Sequence, residues 1–149
     1  METLIAKLNE AGVRYVAIGG QAVRLHGMPR FSMDWDLLIP AHDAENFQRL
    51  NAAIGEWLGE PVVPLGARGE NFVQTFQTPF GVVQFHLAAP GIASFEEAES
   101  AAVHQDLEGG TPCRVLSIRD LLRTKEAAGR VQDEVDIEFL KEKQKGAKK

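Results

Sequence analysis

Asp34 and Asp36 are two carboxylates one residue apart, flanking Trp35. In a strand the side chains alternate, so both carboxylates project from one face and Trp35 from the other. Two like charges this close repel unless they are solvated or a cation lies between them. Hard oxygen ligands on one face suit Mg²⁺, which keeps several waters and takes one or two carboxylates plus substrate phosphates. The plainer alternative is a solvated strand face, and the apolar run Leu37-Leu38-Ile39 that follows argues against it. Upstream, Gly19-Gly20 separates a strand-like run from a short helical one. Glycines let a backbone approach a ligand closely, and a helix N-terminus offers free N–H groups, so a phosphate would suit the place. On its own the pair reads more simply as a tight turn. Arg30 lies between glycines and carboxylates and could meet a phosphate. A phosphate-suited turn, a cation-suited carboxylate pair and an arginine are together the parts of phosphoryl or nucleotidyl transfer.

The elements that must position these groups follow from hydrophobic spacing. Residues 3–11 predict a helix capped by Thr3, with Leu4, Ile5 and Leu8 on one face and Gly12 at its end. Val13 to Ile18 predicts a strand, Gln21 to His26 a short helix, and Asp34 to Ile39 a second strand closed by Pro40. Asp43 starts a longer helix with Phe47, Leu50, Ile54 and Leu58 at helical spacing. Phe72–Thr78 and Val82–Leu87, joined through Pro79-Phe80-Gly81, predict a β-hairpin. Ser94 and Glu97 form a capping-box pattern ahead of a helix. Cys113 to Leu116 predicts an edge strand, Ser117 caps the next helix, Gly129 interrupts it, and a last helix covers about 131–143. The stretch from Gly59 to Asn71 reads as an exposed loop where acceptor contacts would fall. The expectation is one domain over 1–149, with a core to about 116, C-terminal helices to about 143 and a frayed basic tail at 144–149. Its fold class is α/β (α+β), with a mixed sheet flanked by helices.

Composition narrows the function. The 149 residues carry 16 Lys+Arg against 21 Asp+Glu, a net charge of −5, with 44% hydrophobic and 25% charged residues. That balance is globular, argues against a protein that coats nucleic acid, and leaves room for a small basic site. Cys113 is the one cysteine, so no internal disulfide forms and structural zinc is not expected. No apolar run would span a bilayer, and the N-terminus lacks the core of a signal peptide, so a cytoplasmic protein is the default expectation. There is no GxSxG elbow and no Walker A sequence. Trp35 and Trp57 read as core residues, and His26 as a structural hydrogen-bonder beside Gly27.

Gly19-Gly20-Gln21-Ala22, His26-Gly27, Pro29-Arg30-Phe31-Ser32 and Asp34-Trp35-Asp36-Leu37 resemble the signature of the minimal nucleotidyltransferases of the polymerase-β-like superfamily, a group that includes the AbiEii-like toxins. Gly91-Ile92 with Phe95–Ala98, and Ser117–Leu122 with Lys125, Ala127–Arg130, Gln132-Asp133 and Asp136, are similar to later stretches of the same proteins. The resemblance thus covers nearly the whole chain, and it implies a nucleotidyltransferase fold. It implies that Gly19 and Gly20 cradle a triphosphate and that Asp34 and Asp36 are catalytic and hold Mg²⁺ or Mn²⁺. Arg30 and Ser32 would border the nucleotide, and Lys125 could meet the triphosphate or be a solvated helix lysine. Arg130, Asp133 and Asp136 would tie the last helices together or line the cleft. The implied reaction moves a nucleoside monophosphate from an NTP, such as ATP, to an acceptor hydroxyl on RNA, a protein or a small molecule.

One position departs from that pattern. Where active members carry a third carboxylate this chain has Gln84, which is neutral and cannot act as a general base. His86 shares the face of Gln84 and could substitute as base or ligand, but imidazole is a poor Mg²⁺ ligand and a lone histidine beside a sheet reads first as a structural residue. The alternative is therefore a degenerate member that binds nucleotide or a protein without turnover, as one half of a toxin–antitoxin or regulatory pair.

Overall fold

The computed structural model describes residues 1–147. Six strands form one mixed sheet in the order β3-β4-β2-β1-β6-β5. They are β1 (Val16–Ile18), β2 (Trp35–Leu38), β3 (Val73–Thr78), β4 (Gly81–His86), β5 (Val103–Asp106) and β6 (Pro112–Val115). The helices are α1 (Glu2–Glu10), α2 (Gly19–Leu25), α3 (Ala44–Leu58), α4 (Phe95–Ala101), α5 (Ile118–Ala128) and α6 (Glu134–Ala147), with a 3₁₀ turn at Val131–Asp133. Among the described residues no helix is long and apolar enough to cross a membrane.

The centre of the sheet fixes everything near the carboxylates. β1 pairs antiparallel with β2, placing Ile18 opposite Asp36, and β2 pairs parallel with β4, placing Asp36 opposite Gln84. Val16, Ala17, Leu37, Val83 and Phe85 are fully buried there, and α1 and α3 supply Leu4, Ile5, Leu8, Leu50 and Ile54 to the same core. The anchors of α3 follow the expected spacing. Asp43 caps it by accepting from the Asn46 amide at 3.1 Å, and Gly59 ends it at φ +83°. Ser94 and Ser117 cap α4 and α5, each accepting from the amide three residues on. Trp35 is buried, and Trp57 packs edge-on against Phe80 with ring centroids 4.9 Å apart. His26 is buried and its Nε2–H donates to the Leu116 carbonyl at 2.8 Å.

Several expectations are corrected. Thr3 does not cap α1: the helix begins one residue earlier, with no side-chain cap, and the Glu2 carboxylate accepts from the amides of Gly109 and Thr111. The first strand spans only Val16–Ile18, and α2 starts at the glycines themselves rather than after them. The second strand spans only Trp35–Leu38, so Asp34 sits just before it. The segment expected to be an edge strand, β6, is internal, because β5 pairs along its other side. β5 was not anticipated: Val103-His104-Gln105-Asp106 is mostly polar and exposed, so it lacks the apolar alternation of a half-buried strand. Helix α6 continues through Ala147, beyond the expected end near 143; the remainder of the expected frayed tail lies outside the described residues.

Candidate active site

The end of β1, the start of β2 and the adjoining strand β4 open onto a cleft of about 480 Å³. Ile18, Gly19, Asp34, Asp36, Gln84 and His86 form its sheet side, and Thr124, Lys125, Ala128, Arg130 and Asp133 its helical side. Asp34 and Asp36 do share one face, with Trp35 buried on the other, as strand alternation demands.

Gly19 is at φ +70°, a left-handed conformation that penalises any Cβ. A Cβ there would also stand 2.6 Å from Asp36 Oδ2. The backbone thus presses against the carboxylate, which only glycine allows. Asp36 Oδ1 accepts a hydrogen bond from His86 Nε2–H at 2.8 Å, so the carboxylate is held on both sides. Sequence alone placed His86 on the face of Gln84; its bond to Asp36 depends on the parallel β2–β4 register.

Gly20, Arg30 and Ser32 are brought together beside the cleft rather than in its lining. A Cβ on Gly20 would come 2.7 Å from Ser32 Oγ and 3.2 Å from Arg30 Nη2. Buried Gln21, which sequence reasoning had passed over, ties this loop down by donating from Nε2 to the Ser32 carbonyl at 2.8 Å. Helix α2 has no side-chain cap at its N-terminus, which leaves its first amides without an intramolecular side-chain partner.

Lys125 is not a solvated helix lysine. It is only 5% exposed, and its Nζ donates to Asp133 Oδ1 at 3.0 Å and lies 3.1 Å from Asp136 Oδ2. Asp136 also pairs with Arg30, and Asp133 accepts from Arg130 Nε at 2.8 Å. Three cations and two carboxylates therefore form one cluster with a net charge of +1, joining the loop before β2 to α5 and α6. Burial pushes the Asp133 carboxyl up, but hydrogen bonds from Arg130 and Lys125 outweigh it and hold the group below the usual carboxylate range. The same bond to Asp133 raises the Arg130 guanidinium, whose side chain remains 56% exposed at the cleft.

The donor set can be tested against a divalent cation. Asp34 and Asp36 supply hard carboxylate oxygens, and Gln84, directly across from Asp36, supplies an amide. Two carboxylates in an open, partly wet cleft fit Mg²⁺, which completes its shell with water and phosphate oxygens. Among the described residues there is no group of three or more His, Cys, Asp or Glu side chains that could hold a metal by itself.

No protein-family model matches the chain, and no curated protein sequence does. Solved structures do match. A candidate nucleotidyltransferase from Thermotoga maritima superposes with a TM-score of 0.67 at 15% identity, covering 94% of this chain and 89% of its own. The antibiotic-resistance factor ANT(2'')-Ia gives 0.60 at 18%, covering 98% and 83%. An antigenic nucleotidyltransferase-like protein from Paracoccidioides brasiliensis gives 0.54 at 19%, covering 95% and 74%. At these identities the likeness concerns the backbone, and together with the six-stranded mixed sheet it shows that this chain has the fold of these nucleotidyltransferases.

Proposed function

We propose that the protein binds a nucleoside triphosphate in the cleft and transfers its nucleoside monophosphate to an acceptor hydroxyl, releasing pyrophosphate. The observation that carries this reading is the convergence of Asp34 and Asp36 with the Gly19 backbone at the mouth of the cleft, with Arg130 facing them from the helical side. Asp34 and Asp36 would hold Mg²⁺. That ion would supply Lewis-acid polarisation and neutralise charge on the leaving group. The uncapped first turn of α2 offers backbone amides to phosphate oxygens, and Arg130 offers a cation of fixed position. Gly19, at φ +70° with no Cβ, would let a ligand approach the backbone there. One solved structure of ANT(2'')-Ia is in complex with adenylyl-2''-tobramycin, which supports nucleotidyl transfer as chemistry this fold hosts.

A second reading has its own observation. Gln84 stands where a carboxylate would face Asp36, and His86, the other candidate base on that strand face, has its Nε2–H committed to Asp36 Oδ1. On this reading the protein binds nucleotide without turnover and acts through a protein partner, as in a toxin–antitoxin or regulatory pair.

Melting temperature measured with each of the four NTPs, with and without Mg²⁺, tests both. A ligand at 100 times its Kd stabilises by about 2.7 kcal/mol, or roughly 5–10 °C for a domain of this size. The expected rise needs nucleotide and Mg²⁺ together and is lost in the Asp34→Ala, Asp36→Ala double variant. Pyrophosphate release with RNA, protein and small-molecule acceptors then separates transfer from binding alone. No shift with any nucleotide refutes both readings.

A further inference from the structure

We infer that this cleft holds a single divalent cation beside the nucleotide rather than a pair, an inference that rests on the nucleotide-binding reading above. Two-ion sites place their metals about 3.5–4 Å apart, so some ligand oxygens must serve both. The carboxylates here are too few and too committed for that. Asp36 has two oxygens. Oδ1 accepts from His86 Nε2–H at 2.8 Å, and Oδ2 lies against the Gly19 backbone at the cleft. Asp34 supplies one further carboxylate. The position directly across the strand pair from Asp36 is Gln84, which brings an amide and no charge. Among the described residues no third acidic, histidine or cysteine side chain joins Asp34 and Asp36 as a possible metal ligand.

The facing wall offers a substitute for a second ion. The opposite wall has a fixed positive excess, since Lys125 and Arg130 outnumber Asp133 by one. Arg130 is more than half exposed at the cleft, where part of a triphosphate's charge can be met without a second ion. The protein therefore meets the nucleotide with one exchangeable ion and one fixed cation.

Native mass spectrometry of the full chain, with Mn²⁺ and a non-hydrolysable ATP analogue, counts ions per nucleotide-bound chain. Electron paramagnetic resonance of the same complex separates an isolated Mn²⁺ from a spin-coupled pair. The expected result is one Mn²⁺ with an isolated-ion spectrum in the wild type, and two with a coupled spectrum in Gln84→Asp. Circular dichroism establishes that the variant is folded; if it is not, the wild-type count decides alone. Two ions in the wild type overturn the inference while leaving nucleotide binding intact. A folded Gln84→Asp that still holds one ion overturns the role given to Gln84. Absence of a nucleotide-bound complex would instead overturn the reading on which the inference rests.

Discussion

Replacing Lys125 with methionine keeps most of the length of the side chain and removes its charge. In the native protein the lysine is 5% exposed and shared between Asp133 and Asp136, whose side chains are 4% and 5% exposed. Removing one partner of a buried ion pair typically costs about 3–5 kcal/mol, because the other is left charged and dry. Here each carboxylate keeps an arginine, Arg130 for Asp133 and Arg30 for Asp136, so the low end applies, about 3 kcal/mol. For a domain of this length that lowers Tm by roughly 6–12 °C. Urea unfolding followed by circular dichroism gives the free energy directly. The acid limb adds a signed test. Asp133 is held below its ordinary range, so its contribution is complete above an unfolded pKa of about 3.9 and is lost as pH falls through the lower folded value. Without Lys125 one of the influences holding it down is gone, so its folded pKa rises towards the unfolded value and Lys125→Met loses less stability on acidification than the wild type does. A loss below about 1 kcal/mol, within the range of exposed pairs, together with an unchanged acid limb, would refute the description of this cluster as a buried one.

Gly19→Ala would place a Cβ at a left-handed φ and 2.6 Å from Asp36 Oδ2; we expect a loss of about 1–3 kcal/mol and of Mg²⁺-dependent nucleotide stabilisation, read by the same melting assay. Ser117→Ala removes the cap of α5 and should cost about 1 kcal/mol in urea unfolding without altering nucleotide binding. Phe85→Ala empties a fully buried site beneath the β2–β4 pair and should cost about 3–5 kcal/mol. Burial lowers the His26 pKa, so the folded protein resists a proton that the unfolded chain accepts. Stability should therefore fall as pH drops below about 6.5, and this slope should be absent in His26→Gln, as urea midpoints at pH 7.5 and 5.5 would show.

What could be read from sequence was local in physical origin. Asp43, Ser94 and Ser117 act within one helical turn, and all three cap as expected. The pairing of Gly19 with Asp36 follows from two short strands separated by one helix, and the cleft contains both. The misses are non-local. β5 is polar and gains its identity from pairing with β6, which its own residues do not announce. Glu2 enters α1 because its carboxylate meets the Gly109–Thr111 turn, more than a hundred residues away. Lys125 falls three residues after Leu122 and four after Leu121, on the inward face of α5, but the partners that let a lysine be buried there, Asp133 and Asp136, come from later elements that this spacing does not announce.

The bond from Arg30 to Asp136 spans 106 positions of chain and makes the order of synthesis matter. A ribosome adding about 5–20 residues per second needs roughly 5–20 s to pass from one to the other. Throughout that interval the nascent chain has its glycines and both carboxylates but neither the carboxylates that hold Lys125 nor the last helix. The loop carrying Arg30 then has no anchor on the helical side. The cleft is therefore completed only after Asp136 has been added, and a chain cut short before that residue would carry the whole signature sequence without its helical wall.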